Sequence, residues 1–190
     1  YQGKQLLKAS KVPIPQGEVA TTPQEAKKIA EKIGKPVAIK SQVWAGGRGK
    51  AGGIKFAEHP IDAEIVANEI LGSEIKKLKV EKVLVEEKLD IDKEYYIGVI
   101  VDSSREVRAP VIMFSTEGGM DIESVPSEKI ATMTVDVLRG FRLYDALNLA
   151  LKLKVQTAHL PGVAQAISGL FKTFKEYNCR TAEINPLIIT

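Results

Sequence analysis

Cysteine is almost missing from this chain. Cys179 is the only one in 190 residues, so no intrachain disulfide can form, and such usage points to a reducing compartment, the cytoplasm. Cys179 itself reads most simply as a small buried apolar residue. Histidine is nearly as scarce: His59 sits at a helix start and His159 just before Leu160-Pro161, and both read as structural. No Cys/His spacing suits zinc, and two histidines in these contexts support no Ser-His-Asp arrangement. No apolar run approaches ~18 residues, so no membrane span is expected. No signal peptide is visible. There is no large excess of either charge: the net charge is +3, and the pI is near 8.8. A nucleic-acid binder concentrates its cations more strongly, so composition lends that class little support. Neither an internal repeat nor a low-complexity segment is present.

What is present is a globular composition, 44% hydrophobic and 27% charged, at a length that suits one large domain or two small subdomains. The chain opens at Tyr1 without a methionine and stops at Thr190 inside an apolar run, which reads as a fragment of a longer protein. The rest is organised around Val43 to Lys55, where five glycines and three cations fall within thirteen residues. Glycine lets a ligand approach the backbone closely. Exposed N–H groups beside Arg48 and Lys50 make an anion site, and phosphate is the commonest anion such loops hold.

Several elements are legible around this stretch. Gln5-Leu6-Leu7 marks a short helical start, followed by an extended piece from Val12 to Pro15. Thr22 is an N-cap, Pro23 opens the helix and Glu25 completes a capping box. Ala26, Ile29, Ala30 and Ile33 keep helical spacing up to Gly34. Pro36 to Val43 reads as a strand, with Lys40 on the face opposite Val37 and Ile39. Ile54 to Ala57 reads as a second strand, which makes the glycine stretch the tip of a hairpin. A helix is expected from about Pro60 to Leu71, and a strand from Val83 to Lys88. A strongly alternating strand follows through Glu94 to Val101, and Asp102-Ser103-Ser104 turns the chain. Val107 to Phe114 reads as a strand in which Pro110 signals an edge or a bulge. After the Thr116-Glu117-Gly118-Gly119 turn come two helices, marked by Leu143 to Leu151 and Val163 to Phe174, then a last strand around Ala182 to Ile189. This order predicts an α+β chain in two pieces joined near residues 88–94.

The pattern Gly47-Arg48-Gly49-Lys50-Ala51-Gly52 matches G-x-G-x-x-G. A dinucleotide fingerprint needs a helix directly after it, and here a strand follows. A Walker loop needs G-K-[ST] at its end, and here the loop ends Gly52-Gly53-Ile54. A glycine hairpin lying over phosphates is what survives. Lysine in a strand is commonly a solvated or edge device; ahead of a glycine hairpin, the Lys40 ammonium is better read as aimed at phosphates. Arg48 and Lys50 could equally be solvated loop charges. Glu86 and Glu94 are either solvent-side carboxylates of a strand pair or partners of an adenine amino group and ribose hydroxyls. Glu183 and Asn185, at i and i+2, are either a polar strand end before Pro186 or hard oxygens suited to Mg²⁺.

Ala45 to Gly53, Thr116-Glu117-Gly118-Gly119 and Glu183-Ile184-Asn185-Pro186-Leu187 occur together in this order, with Tyr1-Gln2-Gly3-Lys4 and Leu84-Val85-Glu86. Over essentially its whole length the chain resembles the N-terminal portion of succinyl-CoA synthetase (succinate–CoA ligase) β subunits. Malate–CoA ligase and ATP-citrate lyase are near relatives of that family. The resemblance implies an ATP-grasp fold of two α+β subdomains, about 14–88 and about 1–13 plus 89–190, with nucleotide held between them. A C-terminal flavodoxin-like domain would be missing from this chain. Lys40 would contact the phosphates, with Gly47, Arg48 and Gly49 as a lid over them. Glu86 and Leu89 would lie at the base, Glu94 at the ribose, and Asn185 would ligate Mg²⁺. Glu183 would position a phosphohistidine carried by the α subunit, the expected partner in a heterodimer or heterotetramer. The reaction implied is NTP + succinate + CoA to succinyl-CoA + NDP + phosphate, a step of the tricarboxylic acid cycle, with ATP or GTP as nucleotide. Trp44 and Leu89 depart from the family pattern, which usually has histidine and a smaller polar residue there. The chain alone is expected to be inactive; the competing readings are a related ATP-grasp acid–CoA ligase of the malate–CoA ligase or citrate lyase type, and a non-catalytic nucleotide-binding fragment.

Overall fold

A computed structural model describes residues 1–104 and 108–190 of the chain. The chain divides into two compact units. One comprises Tyr1–Gln2 with Pro15–Leu89, the other Gly3–Ile14 with Asp90–Thr190.

In the first unit, local chemistry sets the helices. After strand β1 (Gly17–Ala20), helix α2 (Pro23–Ile33) starts at Thr22, whose hydroxyl accepts from the Glu25 amide at 3.2 Å. Glu25 reaches back to the amides of Thr21 and Thr22, completing the expected capping box. Strands β2 (Val37–Ser41) and β3 (Ile54–Ala57) pair antiparallel, so the glycine stretch is a hairpin connection, as its flanks predict. Helix α3 (Pro60–Ile70) follows, then a two-stranded ribbon, β4 (Glu74–Ile75) with β5 (Leu78–Lys79), and strand β6 (Val83–Glu87). The four-stranded sheet has the order β1-β6-β2-β3. Val37, Ile39, Val83 and Val85 point to α2 and α3, where they pack with Ala26, Ile29, Ala63, Ala67 and Ile70. Fully burying each aliphatic side chain contributes ~1.5–3 kcal/mol. Ala38, Lys40, Leu84 and Glu86 alternate with them on the opposite face of the sheet.

The second unit repeats this plan. It begins with helix α1 (Gln2–Ala9), longer than the helical start expected. Its sheet has the order β10-β7-β8-β9, from β7 (Lys93–Asp102), β8 (Ala109–Ser115), β9 (Ile130–Thr134) and β10 (Thr181–Ile189). Tyr95, Ile97 and Val99 of β7 and Ile112 and Phe114 of β8 face helices α4 (Leu143–Lys152) and α5 (Leu160–Glu176). Cys179 is half-buried against this core. His59 and His159 stand at the starts of α3 and α5.

The structure adds strands that the sequence does not show and corrects one expectation. Strands β1, β4, β5 and β9 were not legible. Pro110 lies in β8, which is flanked by β7 and β9 and is therefore not an edge strand. It is tolerated because the β8–β9 pairing ends one residue later, at Val111 opposite Thr134, and the Pro110 carbonyl accepts from Val135 at 2.9 Å. Val107, the expected start of that strand, lies outside the described residues.

Candidate functional site

The glycine hairpin closes on itself. Ser41 N–H donates to the Gly53 carbonyl at 2.7 Å and Gly53 N–H to the Arg48 carbonyl at 2.8 Å. The Arg48 guanidinium folds back and donates to the Ser41 carbonyl at 2.9 Å. Gly47, Gly49 and Lys50 are exposed, and Trp44 at the entrance is 93% exposed. The Ser41 hydroxyl is buried at the base of the loop without a hydrogen-bond partner.

Lys40 sits at the end of β2, two residues along from Ala38, which stands opposite Glu86 on β6. This diagonal lets its ammonium donate to the Glu86 carboxylate. Glu86 is only 2% exposed, so the solvent-side reading of this carboxylate fails. The structure thus brings Lys40 and Glu86 together beside the root of the glycine hairpin. Leu89, just past β6, is half-buried.

In the second unit, Glu94 and Asn185 meet at the Thr116–Gly119 turn, and Glu183 stands farther along β10, opposite Gly98. Gly118 N–H donates to the Glu94 carbonyl at 3.0 Å. Gly119 N–H donates to Asn185 Oδ1 at 2.8 Å, and Asn185 Nδ2 donates to the Met120 carbonyl at 2.9 Å. Gly119 has φ 73, and an added Cβ would fall 2.5 Å from Glu94 Oε2, so the turn lies directly under that carboxylate. Glu94 also lines a cavity of about 660 Å³ between the start of β7, the Thr116–Gly118 turn and Lys154–Gln156.

Asn185 owes its direction to a β-bulge. The β7–β10 register runs Ile184 opposite Ile97, then Leu187 opposite Tyr95, so Asn185 and Pro186 together oppose Tyr96. Glu183, before the bulge, is exposed and paired with Gly98. Burial first, then the charges of Glu183 and Glu123, push the Tyr96 phenol up to about 12. Two features had no role in the sequence reading: the Gly118-Gly119 turn, quoted there only as a motif, and Tyr96, seen there only as part of the alternation.

Among the described residues no group of three His, Cys, Asp or Glu could hold a metal ion. Asn185 Oδ1 still fits Mg²⁺ as a single protein ligand. A carbonyl oxygen has two lone pairs, of which Gly119 uses one, and Mg²⁺ usually keeps waters and phosphate oxygens besides one or two side chains. Among the described residues no helix is long and apolar enough to cross a membrane.

The family model for the ATP-grasp domain matches residues 1–189. The chain is 45% identical to the β subunit of a GDP-forming succinate–CoA ligase from Thermus thermophilus, covering all of this chain and 50% of that protein. It is 43% identical to an ADP-forming succinate–CoA ligase β subunit from Methanothermobacter thermautotrophicus, covering all of this chain and 52% of that one. The chain thus spans about half the length of the curated relatives it matches. Among solved structures, the dinucleotide-forming acetyl-coenzyme A synthetase 1 of Ca. Korarchaeum cryptofilum superposes with a TM-score of 0.78 at 18% identity, over 98% of this chain and 84% of that one. An ATP citrate lyase from Methanothrix soehngenii gives 0.68 at 22% identity, over 90% and 41%. At these identities the two structures speak for the fold.

Proposed function

This chain belongs to the ATP-grasp domain family, and from that premise we propose that it is the nucleotide-binding portion of a succinate–CoA ligase β subunit. The observation that carries the reading is the likeness to such subunits along the whole chain, at 45% identity, with Lys40 and the glycine hairpin in place. The enzyme is an acid–thiol ligase that converts NTP, succinate and CoA to succinyl-CoA, NDP and phosphate, through a phosphohistidine on an α-subunit partner, in the cytoplasm.

Lys40 exchanges Glu86 for the nucleotide's phosphates, an anion-for-anion swap that leaves its charge compensated. Arg48 and the amides of Gly47 and Gly49 cover those phosphates. Phosphoryl transfer needs positioning and neutralisation of charge rather than a covalent step by the protein, and these groups supply both. Glu94 accepts from the ribose hydroxyls at the cavity edge, with Leu89 near the base. Asn185 would hold Mg²⁺, which would supply charge neutralisation to the phosphates. Glu183 faces the phosphohistidine and orients its ring.

Calorimetric titration of the full-length subunit, assembled with its partner, with Mg-ATP and Mg-GTP tests the reading. Lys40→Ala is expected to weaken binding at least tenfold. Equal heats and affinities for the wild type and Lys40→Ala would remove Lys40 from the site.

A further inference from the structure

We propose that Lys76 is a further phosphate-binding residue of the nucleotide site: the tip of the β4–β5 ribbon holds its ammonium against Gly47 and so adds a cation to the phosphates under the glycine hairpin. The inference rests on the phosphate role given to that hairpin above. Ribbon and hairpin both belong to the first unit.

The ribbon is built to present this residue. Its base is rooted in the core that α2 and α3 share with the sheet, where Ile75 and Val80 are buried. Gly72 N–H donates to the Val80 carbonyl at 2.8 Å, and Val80 N–H donates to the Ser73 carbonyl at 2.9 Å. Ile75 then pairs with Leu78, which leaves Lys76 and Lys77 as the two turn residues. Their φ values are 52 and 64, the positive φ at both positions that a type I′ turn requires. Asn-Gly makes such a turn at little cost, whereas a Cβ on each residue crowds the backbone. Two lysines are held there in spite of that strain, and strain retained in this way points to use.

The contact made by the first lysine shows what the use is. Gly47 has φ 65, and a Cβ added there would fall 3.2 Å from Lys76 Nζ and 3.9 Å from its Cε. Gly47 thus serves the hairpin twice, by its positive φ and by the room its bare Cα leaves for the ammonium. The next residue, Arg48, gives its guanidinium to the neutral Ser41 carbonyl. Neither Lys76 nor Arg48 is paired with a carboxylate among the described residues. Cations brought to one loop without an acid repel each other, and an anion entering between them relieves that repulsion. Phosphate oxygens suit both groups: the ammonium meets them as a compact charge with three donors, the guanidinium as a planar fork.

The test is calorimetric titration of the full-length subunit, assembled with its partner, with Mg-ATP and Mg-GTP. Lys76→Asn removes the cation and leaves a residue that tolerates positive φ, so the ribbon keeps its turn. It is expected to weaken binding about fivefold, the scale of one partly exposed charge-assisted hydrogen bond. Lys76→Arg, which keeps the charge, should bind within twofold of the wild type. Lys77→Asn, the same loss of charge at the other turn position, should also stay within twofold. If Lys40→Ala weakens binding but Lys76→Asn does not, Lys76 has no place at the phosphates and the nucleotide reading stands. Equal losses for Lys76→Asn and Lys77→Asn, or a Lys76→Arg no better than Lys76→Asn, would overturn the contact. Wild-type affinities in both Lys40→Ala and Lys76→Asn would overturn the phosphate site itself, and this proposal with it.

Discussion

Lys40 and Glu86 form an ion pair that is asymmetric in its burial, and a double-mutant cycle should expose that asymmetry. Glu86 is 2% exposed, whereas the Lys40 side chain keeps 29% of its surface. Removing one partner of a fully buried pair costs ~3–5 kcal/mol, mostly because a charge stays behind in a poor solvent. Lys40→Met leaves the carboxylate in the sheet without this ammonium. Because water already reaches Lys40, the pair is partly screened, and the expected cost falls to ~2–3 kcal/mol. Glu86→Gln leaves the lysine instead. Its long stem can swing the ammonium outward to water, so this change should cost only ~1 kcal/mol, near that of a net hydrogen bond. In the double variant no charge is stranded, so Glu86→Gln should recover most of the Lys40→Met loss. The coupling energy expected is ~2 kcal/mol.

Urea unfolding of the 190-residue chain, followed by far-UV circular dichroism, measures these differences. Each unit has its own core, so two transitions are expected, and the one belonging to the α2–α3 unit should move. A Lys40→Met loss below ~0.5 kcal/mol, or a double variant whose loss is the sum of the singles, would refute the reasoning. Additivity would mean that the carboxylate is satisfied without the lysine.

Two further outcomes follow from the second unit. Tyr96 stays protonated in the folded chain up to about 12, against 10.0 for an unperturbed phenol, so the unfolded chain loses that proton first on the way up. The stabilisation is whole below pH 10 and is lost as pH rises toward 12; at 1.36 kcal/mol per unit it amounts to about 2–3 kcal/mol. Urea midpoints at pH 9 and 11 should therefore fall less for Tyr96→Phe than for the wild type, and parallel falls would contradict this origin. Gly119→Ala should cost ~1–2 kcal/mol for a Cβ at positive φ and weaken nucleotide binding severalfold by pushing Glu94 aside, because the added atom falls 2.5 Å from Oε2. Unchanged nucleotide affinity in equilibrium titrations would separate Glu94 from the site.

The features legible in the sequence are those set by neighbours along the chain. The Thr22–Glu25 box is written in four residues, and the structure forms it bond for bond. The glycine hairpin was legible because two apolar runs flank it closely. Strand β1 was not, because Gly-Glu-Val-Ala carries little β-propensity and is held by β6, more than sixty residues away. The β4–β5 ribbon is two residues per strand, too short for any period to show. Glu86 was ambiguous for a related reason. Its burial depends on what stands opposite it, Ala38 on one side and Gly17 on the other, and pairing of that kind cannot be read from one strand. Tyr96 was hidden for the same reason, since its place diagonal to Glu183 exists only in the β7–β10 register.

That dependence on register explains why the candidate residues sit where they do. Each unit packs one face of an antiparallel sheet on helices and turns the other away. Side chains alternate, so a polar group on the free face has a core residue as its immediate neighbour. Lys40 follows Ile39, Glu86 follows Val85, Glu94 precedes Tyr95 and Glu183 precedes Ile184. A slip of one residue would exchange the two sets and turn these charges toward the helices in place of an aliphatic or aromatic side chain. The cores of Ile39, Val85 and Ile97, fully shielded from solvent, therefore hold the polar residues in register as well as the fold. Asn185 is the exception, and the bulge is what frees it. One extra residue in β10 lets the chain place Asn185 against the Gly118-Gly119 turn while Leu187 returns to the core opposite Tyr95.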